Sequence, residues 1–347
     1  MITIYSEAHG EHFGKSELID GVFHPSFECP ERANQIVTSL RDRAFGPIIA
    51  PDDFGLAPLA SLHDPKYVEF FQGAWERWVA EGNTFDMLSM VTSSEVGRSH
   101  PPRSDNIFAQ MGYYSIDMVT PITAGTWNAA YGAAQAALTA QNRMTAGARS
   151  AYALCRPPGH HAGASYMAGF CYFNNAGLAA QAFLRDGAAR VSILDVDYHH
   201  GNGTQGIFYD RSDVQFLSVH ADPAFDYPFY VGFADERGAG SGEGFNFNYP
   251  LPENTAWSPW SEALQAALQE IKNYSPDVFI VSLGVDTFKG DPMTKFLLEN
   301  DDFSRMGELI GSLSVPTLFV QEGGYDTQNI GINVSNVLAG YLSTSKL

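Results

Sequence analysis

Asp195, Asp197 and His199 stand at i, i+2 and i+4 in DVDYHHGNG (195–203), directly after the apolar run VSIL. A carboxylate carried into a core costs roughly several kcal/mol unless it is paired, hydrogen-bonded or bound to a cation. If a strand runs through this stretch, the three side chains share one face. Asp286, in SLGVDTFKGDP (282–292), would approach from a neighbouring strand end. Asp197, His199 and Asp286 then make a set of two carboxylates and one imidazole. Three protein ligands leave a position open for water, as catalytic zinc requires, and zinc lowers the pKa of that water to about 7.

His160 and His161 follow one another on RPPGHHAG (156–163). Neighbouring side chains diverge on a strand or helix, but a turn lets both face one site. Water attack on an amide needs one group to remove a proton and one to deliver a proton to the leaving amine. Tyr325, in QEGGYD (321–326), could donate a hydrogen bond to the oxyanion that forms at the carbonyl. Gly323 and Gly324 before it allow close backbone approach.

The elements that must position these groups are short apolar, β-branched runs: 2–5, 150–155, 191–197, 214–220, 277–286 and 317–321. They lack strict alternation and read as buried strands. Between them, NNAGLAAQAFLRDG opens at Asn174 and Asn175 and stops at Gly187, while SPWSEALQAALQEIKNY opens at Ser258 and Pro259; both read as helices. The alternation predicts an α/β fold, a central, mostly parallel sheet flanked by helices on both faces. All four motif loops follow strand ends, where ligands bind in open parallel sheets. Residues 76–128 have weak periodicity and read as an insertion in an otherwise single domain spanning 1–347.

The chain has 347 residues, 45% of them hydrophobic, and a formal charge of −19. That charge argues against nucleic acid or an anionic membrane as partner and suits attraction of a cationic substrate. Cys29, Cys155 and Cys171 fit neither a disulfide framework nor a structural zinc site. With no secretory signal and no membrane span in the sequence, the expected location is cytoplasmic.

RPPGHHAG, GFCYFNNAGLAA, DVDYHHGNGTQ, SLGVDTFKGDP and QEGGYD, in this order, resemble the histone deacetylase superfamily. SEL (16–18), AWERW (74–78), GYY (112–114) and GTW (125–127) resemble its bacterial acetylpolyamine amidohydrolase branch. The resemblance implies an arginase–deacetylase fold and zinc-dependent hydrolysis of an acetamide to acetate and free amine, with zinc (or iron(II) in the cell) on Asp197, His199 and Asp286. It makes His161 the general base and then acid, with Asn202 behind it. His160, paired with Asp195, becomes its electrostatic partner, and Tyr325 stabilises the oxyanion. It also implies a structural potassium ion at Asp195, Ser218 and the carbonyls of Asp197, His199 and Val219. For substrate it implies Gly169, Phe170 and Tyr227 as tunnel walls, with Glu17 and Asp117 as acidic contacts. The 76–128 insertion would narrow the entrance and contribute to a homodimer. The expected substrates are small cationic acetylated amines such as acetylputrescine or acetylcadaverine. An acetyl-lysine deacetylase, an arginase-like dimanganese ureohydrolase and a non-catalytic acetylamine sensor stay open as alternatives. His200 has no assigned role.

Overall fold

The computed structural model describes residues 1–19, 22–92, 100 and 102–346. β1 (Ile2–Tyr5) is followed by a small antiparallel hairpin of β2 (Ser16–Ile19) and β3 (Val22–Pro25). α1 (Pro30–Asp42), β4 (Ile48–Ile49), α2 (Ala57–Leu62), α3 (Pro65–Ala80), α4 (Ile107–Tyr114) and α5 (Thr126–Thr145) come next. The chain then alternates β5 (Ser150–Leu154), α6 (Asn175–Arg185), β6 (Val191–Asp195), α7 (Asn202–Phe208), β7 (Val214–Ala221) and β8 (Asn246–Leu251). It closes with α8 (Trp257–Tyr274), β9 (Val278–Leu283), α9 (Asn300–Gly311), β10 (Thr317–Gln321) and α10 (Ile330–Thr344).

Eight strands form one sheet in the order β4-β1-β5-β10-β9-β6-β7-β8, and every neighbouring pair is parallel. Both faces are covered, so the strands are apolar on both sides. Along β6, Ile193 packs with Ala137, Ala176 and Ala180 on one face, while Leu194 packs with Trp260, Leu264 and Phe303 on the other. The small alanines of α5 and α6 let those helices lie close to the sheet. α6 is capped as its sequence predicts, with Asn174 Oδ1 accepting from Gly177 N at 2.8 Å. α8 begins earlier than Ser258, at Trp257, with uncapped Ala256 before it.

Three further expectations change. β6 stops at Asp195, so Asp197 and His199 stand on the loop beyond it and share a site through loop geometry, not strand periodicity. β9 likewise ends at Leu283, before Asp286. β8, whose Asn246 and Asn248 break the apolar pattern, extends the sheet without having stood out in the sequence. Within 76–128, residues 93–99 and 101 lie outside the described residues. The rest contributes Trp78, Met87, Ile107, Met111, Tyr114 and Ile122 to an aromatic-rich core beside α3, so this segment packs as part of the domain.

Candidate active site

Asp195 marks the carboxyl edge of the sheet. It pairs in register with Ser218 of β7 and Ser282 of β9, so a serine flanks it on each neighbouring strand. Oδ2 accepts from His160 Nδ1 at 2.9 Å and Oδ1 from Asp197 N at 3.1 Å. Burial opposes a charge on His160, but Asp197 and then Asp195 outweigh it and push its pKa up to about 10. The two carboxylates thus favour the protonated form of His160.

The next step of the loop gathers Asp197, His199 and Asp286. One ligand atom from each lies within 4.8 Å of the others, and all three residues are buried. Asp286 Oδ1 accepts from Tyr198 N at 2.8 Å, and Asp197 Oδ2 from Gly323 N at 2.7 Å. Asp286 Oδ2 is buried 3.2 Å from His199 Nδ1, without hydrogen-bond geometry to it. Burial, and then the charge of Asp197, push the Asp286 carboxyl up to about 6. Two carboxylates crowded into a buried site, with oxygens of both facing the His199 ring nitrogen, fit a cation held by all three. The mixed carboxylate and imidazole donors suit a transition ion such as zinc. Glycine is required around this cluster, because a Cβ on Gly284 or Gly323 would overlap the Asp197 carboxylate.

The tandem histidines are held by the opening turn of α7 and by Glu322. Gly203 N and Thr204 N donate to His160 O at 3.0 and 3.1 Å. Glu322 Oε2 accepts from Gly159 N (2.6 Å) and His160 N (3.1 Å), and Oε1 from Ser282 Oγ (3.1 Å). Asn202, the first residue of α7, accepts from His161 Nδ1 at 2.7 Å, which leaves Nε2 as the proton acceptor. Burial, followed by His160 and His199, pushes His161 well below the ordinary imidazole range. The two adjacent histidines are thus driven in opposite directions.

His161, His199 and Tyr325 meet at one cavity of about 340 Å3, walled by Gly169, Phe170 and Tyr227. The Tyr227 ring stands 4.9 Å from that of His161, and the Phe170 ring 5.8 Å from that of Tyr325. Gly169 (φ +51°) lies against the His161 ring and leaves no room for a Cβ. Tyr325 is clamped from two sides. Asp291 Oδ2 accepts from Tyr325 N (2.5 Å) and Asp326 N (3.0 Å), and its Oδ1 accepts from Met293 N (3.0 Å) on the cavity rim. Arg32 lies 4.6 Å from the Tyr325 ring and donates to Gly324 O (2.5 Å) and Glu322 O (2.6 Å). Glu28 ties Arg32 to Arg156, at 2.8 Å to each.

Glu322, Asp291, Arg32, Glu28 and Arg156 escaped the sequence reading as site supports. Glu322, Asp291 and Arg156 were visible inside quoted motifs, but nothing in a motif says which distant groups its side chains hold. Glu17 and Asp117 do not line the cavity. Glu17 is buried in the hairpin, accepting from Ser26 Oγ and from Glu28 N (3.3 Å). Asp117 is spent on the walls: Oδ2 accepts from Gly169 N (2.6 Å) and Tyr227 OH (3.0 Å), Oδ1 from Val119 N and Thr120 Oγ1. Ser218 and Val219 are fully buried on β7, and the Ser218 hydroxyl is 2.7 Å from His220 Nδ1. His200 turns away from the cavity and joins Gln205 (3.0 Å), whose amide reaches Glu236 Oε2 (2.5 Å). Glu236 in turn holds Gly232 N at 2.9 Å, so His200 belongs to the support of the segment beyond Tyr227.

An eight-stranded parallel sheet with this chemistry gathered on its carboxyl edge is the arginase–deacetylase fold. Residues 24–341 match the histone deacetylase domain. The chain is 54% identical over 341 residues to acetylpolyamine amidohydrolase 1 of Pseudomonas aeruginosa, covering 98% of this chain and 99% of that one. It is 44% identical over 340 residues to the acetylpolyamine amidohydrolase of Mycoplana ramosa, with 98% and 99% covered. The crystal structure of acetylpolyamine aminohydrolase from Burkholderia pseudomallei superimposes with a TM-score of 0.95 at 39% identity, over 99% of both chains. The chain belongs to the histone deacetylase family.

Proposed function

We propose that this chain is a zinc-dependent amidohydrolase that removes acetate from acetylated polyamines or similar small acetylated amines, with acetylputrescine and acetylcadaverine as expected substrates. The observation that carries this reading is the convergence of His161, Tyr325 and His199, which belongs to the Asp197–His199–Asp286 cluster, on one cavity. Near full-length similarity to enzymes named acetylpolyamine amidohydrolase supports the substrate class, as does the charge of −19.

Asp197, His199 and Asp286 would hold the zinc (or iron(II) in the cell). When bound, it supplies a Lewis acid that polarises the acetyl carbonyl and acidifies water. The protein's own share is positioning and proton transfer. His161, kept neutral by burial and oriented by Asn202, takes the proton of the attacking water at Nε2. The same nitrogen then returns that proton to the leaving nitrogen, and the second hydrogen of the attacking water also passes to the amine, so acetate and an ammonium depart with no net proton left on the site. His160, in its protonated form and fixed by Asp195, favours the negative charge that builds on the carbonyl oxygen. Tyr325 donates its hydroxyl hydrogen to that oxygen. Asp195 and Ser218, with the carbonyls of Asp197, His199 and Val219, would hold a potassium ion; the buried, strand-paired carboxylate and hydroxyl fit one. We extend the reading to a cytoplasmic homodimer to which the 76–128 segment contributes. No described helix is long and apolar enough to cross a membrane.

Steady-state kinetics on acetylputrescine and on an acetyl-lysine peptide test the reading. The expected result is a higher kcat/KM for acetylputrescine, and clear preference for the peptide would replace it with the protein-deacetylase alternative. Chelation should abolish turnover, and one zinc per chain should restore it. A requirement for two transition ions per chain would favour the arginase-like dimetal alternative.

A further inference from the structure

The cavity has a buried end and an exposed end. His161, His199 and Tyr325 are at most 8% exposed, whereas the Lys295 side chain is 46% exposed. An acetyl group placed at the buried end sends its amine substituent outward between the Phe225–Tyr227 wall and the Pro292–Lys295 rim. Among the described residues lining the cavity, Asp226 is the one carboxylate and Lys295 the one ammonium.

These two charges already face each other. Lys295 Nζ lies 3.6 Å from Asp226 Oδ2 and 3.2 Å from Glu253 Oε1, and it covers the Phe225 ring at 4.9 Å. Asp226 is further engaged by Tyr198 OH (2.7 Å, to Oδ2) and Tyr227 N (2.9 Å, to Oδ1). A second ammonium arriving at this rim meets a carboxylate that is taken and a like charge held beside it.

We propose that Lys295 is a specificity-determining residue, which weakens binding of acetylated amines carrying a distal ammonium relative to those with an uncharged end. This rests on the reading of the cavity as an acetylamine site. Its consequence is a gain on mutation. Lys295→Gln removes the ammonium over Phe225 while keeping a polar side chain, so it both frees Asp226 and lifts the repulsion.

The test compares acetylputrescine with N-pentylacetamide, which replaces the distal ammonium by a methyl group. Where the neutral amide turns over too slowly, its Ki against acetylputrescine serves. In Lys295→Gln the preference for the cationic over the neutral compound should rise about threefold to tenfold, carried by KM, as expected for a half-exposed charge. Lys295→Arg should keep the wild-type ratio, and the gain should shrink as salt is raised. Equal changes for both compounds, or an unchanged ratio, would overturn the role of Lys295 while leaving the deacetylase reading intact. Absence of turnover of any acetylated amine by the zinc-loaded wild type would instead overturn that reading.

Discussion

Tyr325→Phe is expected to lower kcat by about 10²- to 10³-fold with KM changed little, the range measured when one oxyanion donor is removed from a preorganised site. The substitution deletes one hydroxyl and leaves the ring packed between Phe170 and Arg32. The backbone bonds to Asp291 and Arg32 do not involve the hydroxyl, so the loop has no reason to move. Burial pushes the Tyr325 hydroxyl well above the ordinary phenol range, so it stays a donor at every working pH. Stopped or steady-state assays under saturating substrate, with metal content measured in parallel, check this. A variant with full metal and wild-type kcat would remove Tyr325 from the chemistry.

The same loop shows how far the sequence could be read. Asp197, His199, Asp286, His160, His161 and Tyr325 were legible because each breaks a strong local pattern: charge or imidazole at the end of an apolar strand, and glycine where no turn alone demands it. The strand runs themselves were legible for the same reason, being continuous and β-branched. β8 was not, because its buried Asn246 and Asn248 satisfy a polar network around Gln205 that no local pattern announces. Glu28 and Arg32 were hidden more deeply. Arg32 touches Gly324 at a separation of 292 residues, and a helical arginine reads as solvated surface until the fold buries it.

Asp117 illustrates a different limit. Its charge drew attention as a possible ammonium contact, yet four donors from Val119, Thr120, Gly169 and Tyr227 use its oxygens. A carboxylate so engaged orients the cavity walls. Residue type and approximate position were readable, but hydrogen-bond occupancy belongs to the tertiary structure. Lys295 is the converse, a cation with no motif around it that the fold brings to the rim beside Asp226.

His161→Ala is expected to lower kcat/KM by about 10²- to 10⁴-fold, the share of a positioned general base. Loss of a ring could also loosen its neighbours, so Asn202→Asp provides the sharper readout. A carboxylate in place of the Asn202 amide, 2.7 Å from His161 Nδ1, favours the protonated imidazole and raises its pKa. A base with a higher pKa becomes protonated earlier as pH falls. The acidic limb of the kcat/KM profile should therefore move to higher pH in Asn202→Asp, with activity recovering on the alkaline side of that limb. In the wild type, burial holds His161 well below the ordinary imidazole range, which places its own limb at lower pH. An acidic limb that stayed in place in Asn202→Asp would assign the titrating base to another group. A shifted limb, together with near-complete loss in His161→Ala, ties the proton transfer to this one nitrogen.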